Sequence, residues 1–113
     1  MKTVALPEFL RRAKRLLTNA ELAAFVDYIS AKPEGGKVVP GLKGVRKIRW
    51  GRGAVGKRGG VRILYLQVVA KRTLYLLTIY SKSERADLTG EQKQLIGQLV
   101  ATIKGDGAHD QET

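Results

Sequence analysis

The chain has 113 residues, 43% of them apolar, enough for one domain with a modest core and too few for a second. It contains no cysteine, which excludes a disulfide framework and any thiolate metal site. Lys and Arg outnumber Asp and Glu by 21 to 10, a formal charge of +11, so the expected partner is a polyanion or another acidic surface.

Lys2 to Leu6 predicts a short strand, and Pro7 suits the first position of a helix. The apolar run before Pro7 is too short for a secretory signal, and no stretch approaches the length of a membrane span. With cysteine absent, the expected setting is cytoplasmic, without a membrane partner. Phe9, Leu10, Ala13, Leu16 and Leu17 recur at helical spacing, with Arg11, Arg12, Lys14 and Arg15 on the other side. Thr18-Asn19-Ala20-Glu21 matches a capping box and opens a second helix. Its apolar stripe is Leu22, Phe25, Val26 and Ile29, and Pro33 with Gly35-Gly36 ends it. The two helices should form an antiparallel hairpin.

Residues 33–44, rich in Pro and Gly, read as a loop. Val45 to Trp50 predicts a strand, with Lys47 and Arg49 on one face and Arg46, Ile48 and Trp50 on the other. Gly51 to Gly60 is a glycine-rich cationic loop. Val61–Val69 and Thr73–Tyr80 are the clearest strands, joined by Ala70-Lys71-Arg72, a turn without Gly or Asn. They read as the middle of a sheet with one face under helices. Thr89-Gly90-Glu91-Gln92 is a second capping box, and Leu95, Ile96, Leu99, Val100 and Ile103 form the stripe of a last helix that Gly105 should stop. The predicted organisation is one domain over residues 1–105 and a frayed polar tail over 106–113. The order strand, helix, helix, strand, strand, strand, helix predicts an α+β fold: a small, mostly antiparallel sheet with an N-terminal helical hairpin and a C-terminal helix.

Charge is distributed more tellingly than its sum. No Asp or Glu occurs between Gly35 and Ser83, while twelve Lys and Arg do. An ordinary surface mixes signs, so this one-sided stretch predicts an anion-binding face. The sole His, His109, falls in the tail, which leaves a Ser-His-Asp or Cys-His arrangement without its histidine. No metal-ligand cluster is evident, and the glycine loop lacks the Lys-Ser/Thr ending of a P-loop. What remains is Lys, Arg and Tyr on a sheet. That set suffices to cleave RNA, which carries its own nucleophile in the 2′-hydroxyl. Arg can grip a phosphate with two parallel hydrogen bonds, fixed cations can stabilise the charge that grows on phosphorus, and Lys or Tyr can move protons. The same residues also suit passive nucleic-acid binding.

Three segments resemble the RelE/HigB toxins of type II toxin–antitoxin systems. They are Gly44-Val45-Arg46-Lys47-Ile48-Arg49-Trp50, then Gly56-Lys57-Arg58-Gly59-Gly60-Val61-Arg62-Ile63-Leu64-Tyr65, then Leu76 to Thr89 with Tyr80-Ser81-Lys82-Ser83-Glu84-Arg85 at its centre. Pro33-Glu34-Gly35-Gly36 and Pro40-Gly41 fit as well, and the likeness extends to about Ile103. The resemblance implies the RelE-like fold and a metal-independent, cofactor-free endoribonuclease that inhibits translation. Such an enzyme cuts mRNA by 2′-hydroxyl attack, in many members on the ribosome. It implies that Lys47 and Arg49 lie near nucleophile and phosphate, and that Arg62 contacts phosphate and transition state. Lys82 and Arg85 fall where a further catalytic Arg is found, with Ser83 at the closest match. Thr89 falls where some members have a general-base Tyr, yet reads better as a helix cap, which leaves Tyr80 or Lys57 to move protons; Tyr80 fits a core position equally well. Arg46, Lys57, Arg58 and Arg85 are expected as nucleic-acid contacts, Trp50 and Tyr65 as packing. The resemblance also implies a cognate antitoxin, in the form of a small helical or helix-turn-helix protein, and contact with operator DNA only through it. The competing expectation is a non-catalytic nucleic-acid-binding or co-repressor module that works only with its partner.

Overall fold

The computed structural model describes residues 1–51, 60–81 and 88–112, with 106–112 as backbone only. The elements run β1 (Lys2–Ala5), α1 (Pro7–Leu16), α2 (Asn19–Ala31), β2 (Lys37–Val38), β3 (Arg46–Trp50), β4 (Val61–Val68), β5 (Thr73–Ser81) and α3 (Gly90–Glu112). The strands form one sheet in the order β1-β5-β4-β3-β2. All neighbours are antiparallel except β1 and β5, which run parallel with Lys2 beside Thr73 and Ala5 beside Leu76. This is the α+β architecture expected, with one strand more. β2 is two residues long and lies inside the Pro/Gly-rich loop, too short to leave a periodic pattern.

Local chemistry sets the helix starts. Pro7 occupies the first turn of α1, where a missing N–H removes no bond. Both capping boxes form. The Thr18 hydroxyl accepts from the Glu21 amide at 3.0 Å while the Glu21 carboxylate accepts from the Thr18 amide at 2.8 Å. The Thr89 hydroxyl accepts from the Gln92 amide at 3.1 Å and the Gln92 side chain accepts from the Thr89 amide at 2.8 Å. The backbone of α3 continues past Gly105 to Glu112, where a stop at Gly105 was expected. Glycine weakens a helix by about 1 kcal/mol relative to alanine without blocking it as proline does. Between β4 and β5 the turn is a single 3₁₀ turn, Val69–Lys71, closed by Arg72 at φ 51°, ψ 45°. A non-glycine residue thus takes the left-handed position that Gly or Asn normally fills.

Two hydrophobic layers sandwich the sheet. On one face, Phe9, Ala13 and Leu17, with Phe25 and Ile29 of α2, bury against Ile48, Val61, Ile63, Tyr65, Leu74, Leu76 and Ile79. On the other, Ile96, Val100 and Ile103 of α3, with Leu88, pack on Val39, Leu42, Val45, Leu64, Leu66, Leu77 and Tyr80. Each fully buried aliphatic side chain contributes about 1.5–3 kcal/mol, so both layers are needed. The sheet is therefore covered on both faces, not on one; the apolar stripe of α3 is the same whichever face it meets. Lys71 and Lys104 pin α3 by donating to the carbonyls of Ile103 at 3.0 Å and Lys43 at 2.7 Å.

Candidate functional site

Strand register brings the site together. In an antiparallel sheet, residues directly opposite share a face with their Cβ atoms about 5 Å apart. Lys37 of β2 stands opposite Lys47 of β3, and Arg49 of β3 stands opposite Arg62 of β4. Lys47 and Arg49 are two apart on one strand, so all four point to the same side, opposite the face on which Ile48 and Trp50 meet the helical hairpin. All four residues line one open cavity of about 520 Å³, together with Tyr28, Gly35, Ile48 and Trp50.

Arg62 is the most constrained of the four. It is half-buried, and among the described residues its Nη1 atom is buried without a hydrogen-bond partner. A buried guanidinium donor left unmade costs about 1–3 kcal/mol or more. An anion in the cavity would satisfy it.

The supporting shell lies beside the cavity. Tyr65 is fully buried, and its hydroxyl accepts from the Gly36 amide at 2.8 Å and donates to the Pro33 carbonyl at 2.8 Å. Burial holds that hydroxyl above the usual tyrosine range, against the smaller opposing effects of the Gly36 bond and the Arg46 charge. Arg46 donates to the Gly36 carbonyl at 2.8 Å and, more weakly, to the Glu34 carbonyl at 3.5 Å. These bonds clamp residues 33–36 onto β3 and β4. Gly36 admits no side chain, since a Cβ there would stand 2.9 Å from the Lys47 carbonyl and from the Tyr65 ring.

The sequence-derived candidates separate into three groups. Lys47, Arg49 and Arg62 meet at the cavity. Arg46, expected to contact nucleic acid, braces the 33–36 loop from the opposite face of β3 through its Nη1. Tyr80 stands opposite Arg62 on the neighbouring strand β5 and is fully buried in the layer beneath α3, a position that fits a core residue. Lys57, Arg58, Lys82 and Arg85 lie outside the described residues. Thr89 caps α3, and Tyr65 packs, both as expected. Lys37, Tyr28 and Gly35 were not anticipated as site residues. Lys37 carried a signal, as part of the one-sided basic stretch, and Gly35 fell in the 33–36 run that fits the resemblance; Tyr28 carried none, because only the tertiary fold sets the end of α2 beside β3. Among the described residues, no three His, Cys, Asp or Glu side chains come together as a metal site would require, and no helix is long and apolar enough to cross a membrane.

No protein-family model matches the sequence. Among solved structures, the chain is similar to the isolated E. coli RelE toxin, with a TM-score of 0.56 and 14% identity over 87% of this chain and 97% of that one. It is similar to a doubly substituted E. coli RelE toxin in the free state, with a TM-score of 0.55 and 16% identity over 75% of this chain and 86% of the other. It also matches the intact E. coli RelBE toxin–antitoxin complex, with a TM-score of 0.51 and 16% identity over 69% and 92% of the two chains. The α+β sheet with its hairpin and C-terminal helix is the RelE-like toxin fold.

Proposed function

From a RelE-like fold whose open face gathers Lys37, Lys47, Arg49 and Arg62, we propose that the chain is the toxin of a toxin–antitoxin module, an endoribonuclease that cleaves mRNA by attack of the 2′-hydroxyl on the adjacent phosphate. The attack breaks the bond to the 5′-oxygen of the next nucleotide; this oxygen leaves as a hydroxyl with the proton given up by the 2′-hydroxyl, and a 2′,3′-cyclic phosphate remains. The observation that carries this reading is the gathering of four cations around one cavity by strand register, with the buried Arg62 Nη1 lacking an acceptor among the described residues. Cations fixed in this way suit a phosphodiester. In this reading, Arg62 and Arg49 hold the phosphate and oppose the charge that develops on its oxygens in the transition state. Lys47 stands on the same strand face two residues from Arg49, within reach of the 2′-hydroxyl. The reaction is metal-independent and needs no cofactor, because substrate supplies the nucleophile and fixed cations supply the electrostatic stabilisation. Tyr80 stands beside Arg62 on the neighbouring strand, buried in the layer under α3. Cleavage on the ribosome and inhibition of translation follow from the same likeness.

The implied partner is a cognate antitoxin, a small helical or helix-turn-helix protein. An acidic segment laid over the four cations would silence the site by charge alone, and operator DNA would be contacted through the antitoxin. The cytoplasm is the compartment that such a target requires.

The test is expression from a tightly repressed promoter, with growth followed and transcripts mapped by primer extension. Arrest with cuts inside translated messages, abolished by Arg62→Ala and by Lys47→Ala with Arg49→Ala, is the expected result. Cuts in untranslated RNA as well would make the activity independent of the ribosome. Normal growth and intact transcripts would sink the catalytic reading and leave a nucleic-acid-binding or co-repressor module in its place.

A further inference from the structure

The cavity is more than a phosphate cradle. β2 pairs only with Arg46 and Lys47, so from Ile48 to Trp50 the outer edge of β3 has no neighbouring strand among the described residues. The cavity beside that edge is lined both by the four cations and by the aromatic residues Tyr28 and Trp50. Trp50 is half-buried and meets Phe25 edge-on, with ring centroids 5.2 Å apart. Tyr28 leans on Trp50 at 5.3 Å with the planes tilted by 45°. Tyr28 remains 36% exposed. Gly35 lets it lie close, because a Cβ at that position would stand 3.3 Å from the Tyr28 hydroxyl and 3.2 Å from the Lys32 carbonyl. Both rings are therefore anchored on the hairpin core yet border the open space that also holds Arg49 and Arg62.

We propose that Trp50 and Tyr28 form a nucleobase subsite, which takes the base of a nucleotide flanking the phosphate held by Arg49 and Arg62. This deepens the reading of the chain as a ribonuclease and rests on it. A phosphate site alone would need no apolar wall. A wall of two rings next to a cluster of cations is the composition that single-stranded nucleic acid recognises, with bases on the rings and the backbone on the cations. The cavity volume, about 520 Å³, lies in the range of small-ligand sites. The subsite would make binding depend on the base, where the cations alone would be indifferent to it.

Trp50 is the chain's sole tryptophan, so the site carries its own fluorescent reporter. A short single-stranded RNA with 2′-O-methyl groups, which cannot supply the nucleophile, is titrated into the full chain beside the same backbone with abasic positions. The expected result is tryptophan quenching with the base-bearing strand alone, and roughly tenfold tighter binding of it. Tyr28→Ala should bring the two affinities together while leaving that for the abasic strand unchanged, and Tyr28→Phe should keep them apart. Equal affinities without quenching in the unsubstituted chain would overturn the base subsite while the phosphate site stands. Binding of neither strand would overturn the ribonuclease reading, and the subsite with it.

Discussion

Arg62 shows how a residue can be placed for a partner at the expense of the isolated fold. Its buried Nη1 finds no acceptor among the described residues, and Arg49 faces it across the strands. Replacing it by methionine keeps the aliphatic stem and removes the charge. Arg62→Met should therefore lose growth arrest and RNA cleavage while unfolding in urea at no lower a midpoint than the parent chain. A variant that unfolds earlier would make Arg62 a structural residue. Tyr65 is the opposite case, with every polar bond satisfied. Tyr65→Phe leaves the Gly36 amide and Pro33 carbonyl without their partner, and should cost about 1–3 kcal/mol. The pH dependence follows from the direction of its shift. The folded-state value lies above the unfolded one, so the contribution of Tyr65 is complete below the ordinary tyrosine value of about 10 and is lost as pH rises through the raised value. Urea midpoints compared between about pH 8 and about pH 11 should fall further for the parent chain than for Tyr65→Phe, which lacks that titration. An equal fall in both would remove Tyr65 from the account.

Among the elements, β3 was the most legible in sequence. Strict alternation separates Lys47 and Arg49 from Ile48 and Trp50, and a period of two allows only one division of faces. The two capping boxes were legible for a similar reason, since the bonds they make are local. What lay beyond reach was the meeting of elements distant in sequence. The stripe Ile96, Val100 and Ile103 announces a buried helix face without saying which side of the sheet it covers. Tyr28 sits on α2, and nothing near it in sequence points to Trp50. β2 leaves no pattern in two residues, yet its Lys37 completes the cation cluster. Thr89 marks where local reading and family likeness diverge, and the helix cap prevails. Thr89→Ala should lower stability by about 1 kcal/mol and leave the specific cleavage activity of the folded protein unchanged. A loss of turnover without a loss of stability would restore it as a proton-transfer residue.

For the molecule as a whole, the charge of +11 makes RNA affinity a function of salt. Contact of four cations with phosphates of a single strand predicts a slope of log affinity against log salt near −3, at about −0.7 per contact. Between about 50 and 200 mM salt the affinity should fall roughly fiftyfold. Removing Lys37, Lys47, Arg49 or Arg62 one at a time should reduce the slope by about 0.7 each, whereas removing Arg46, which is spent on Gly36, should leave it unchanged. Titrations of a 2′-O-methyl strand at several salt concentrations measure this directly, and a slope near −1 would mean that the cluster does not act as a unit.

The parallel pairing of β1 with β5 bears on how the chain is born. Lys2 to Ala5 leave the ribosome well before Thr73 to Leu76, the strand they border. Non-local pairing of this kind carries the loop-closure entropy of the whole intervening segment. The sheet edge cannot close until β5 has been made, and until then the apolar face of α1 has no β5 to cover. A binder that recognises the finished sheet thus has no target on a nascent chain until β5 has emerged.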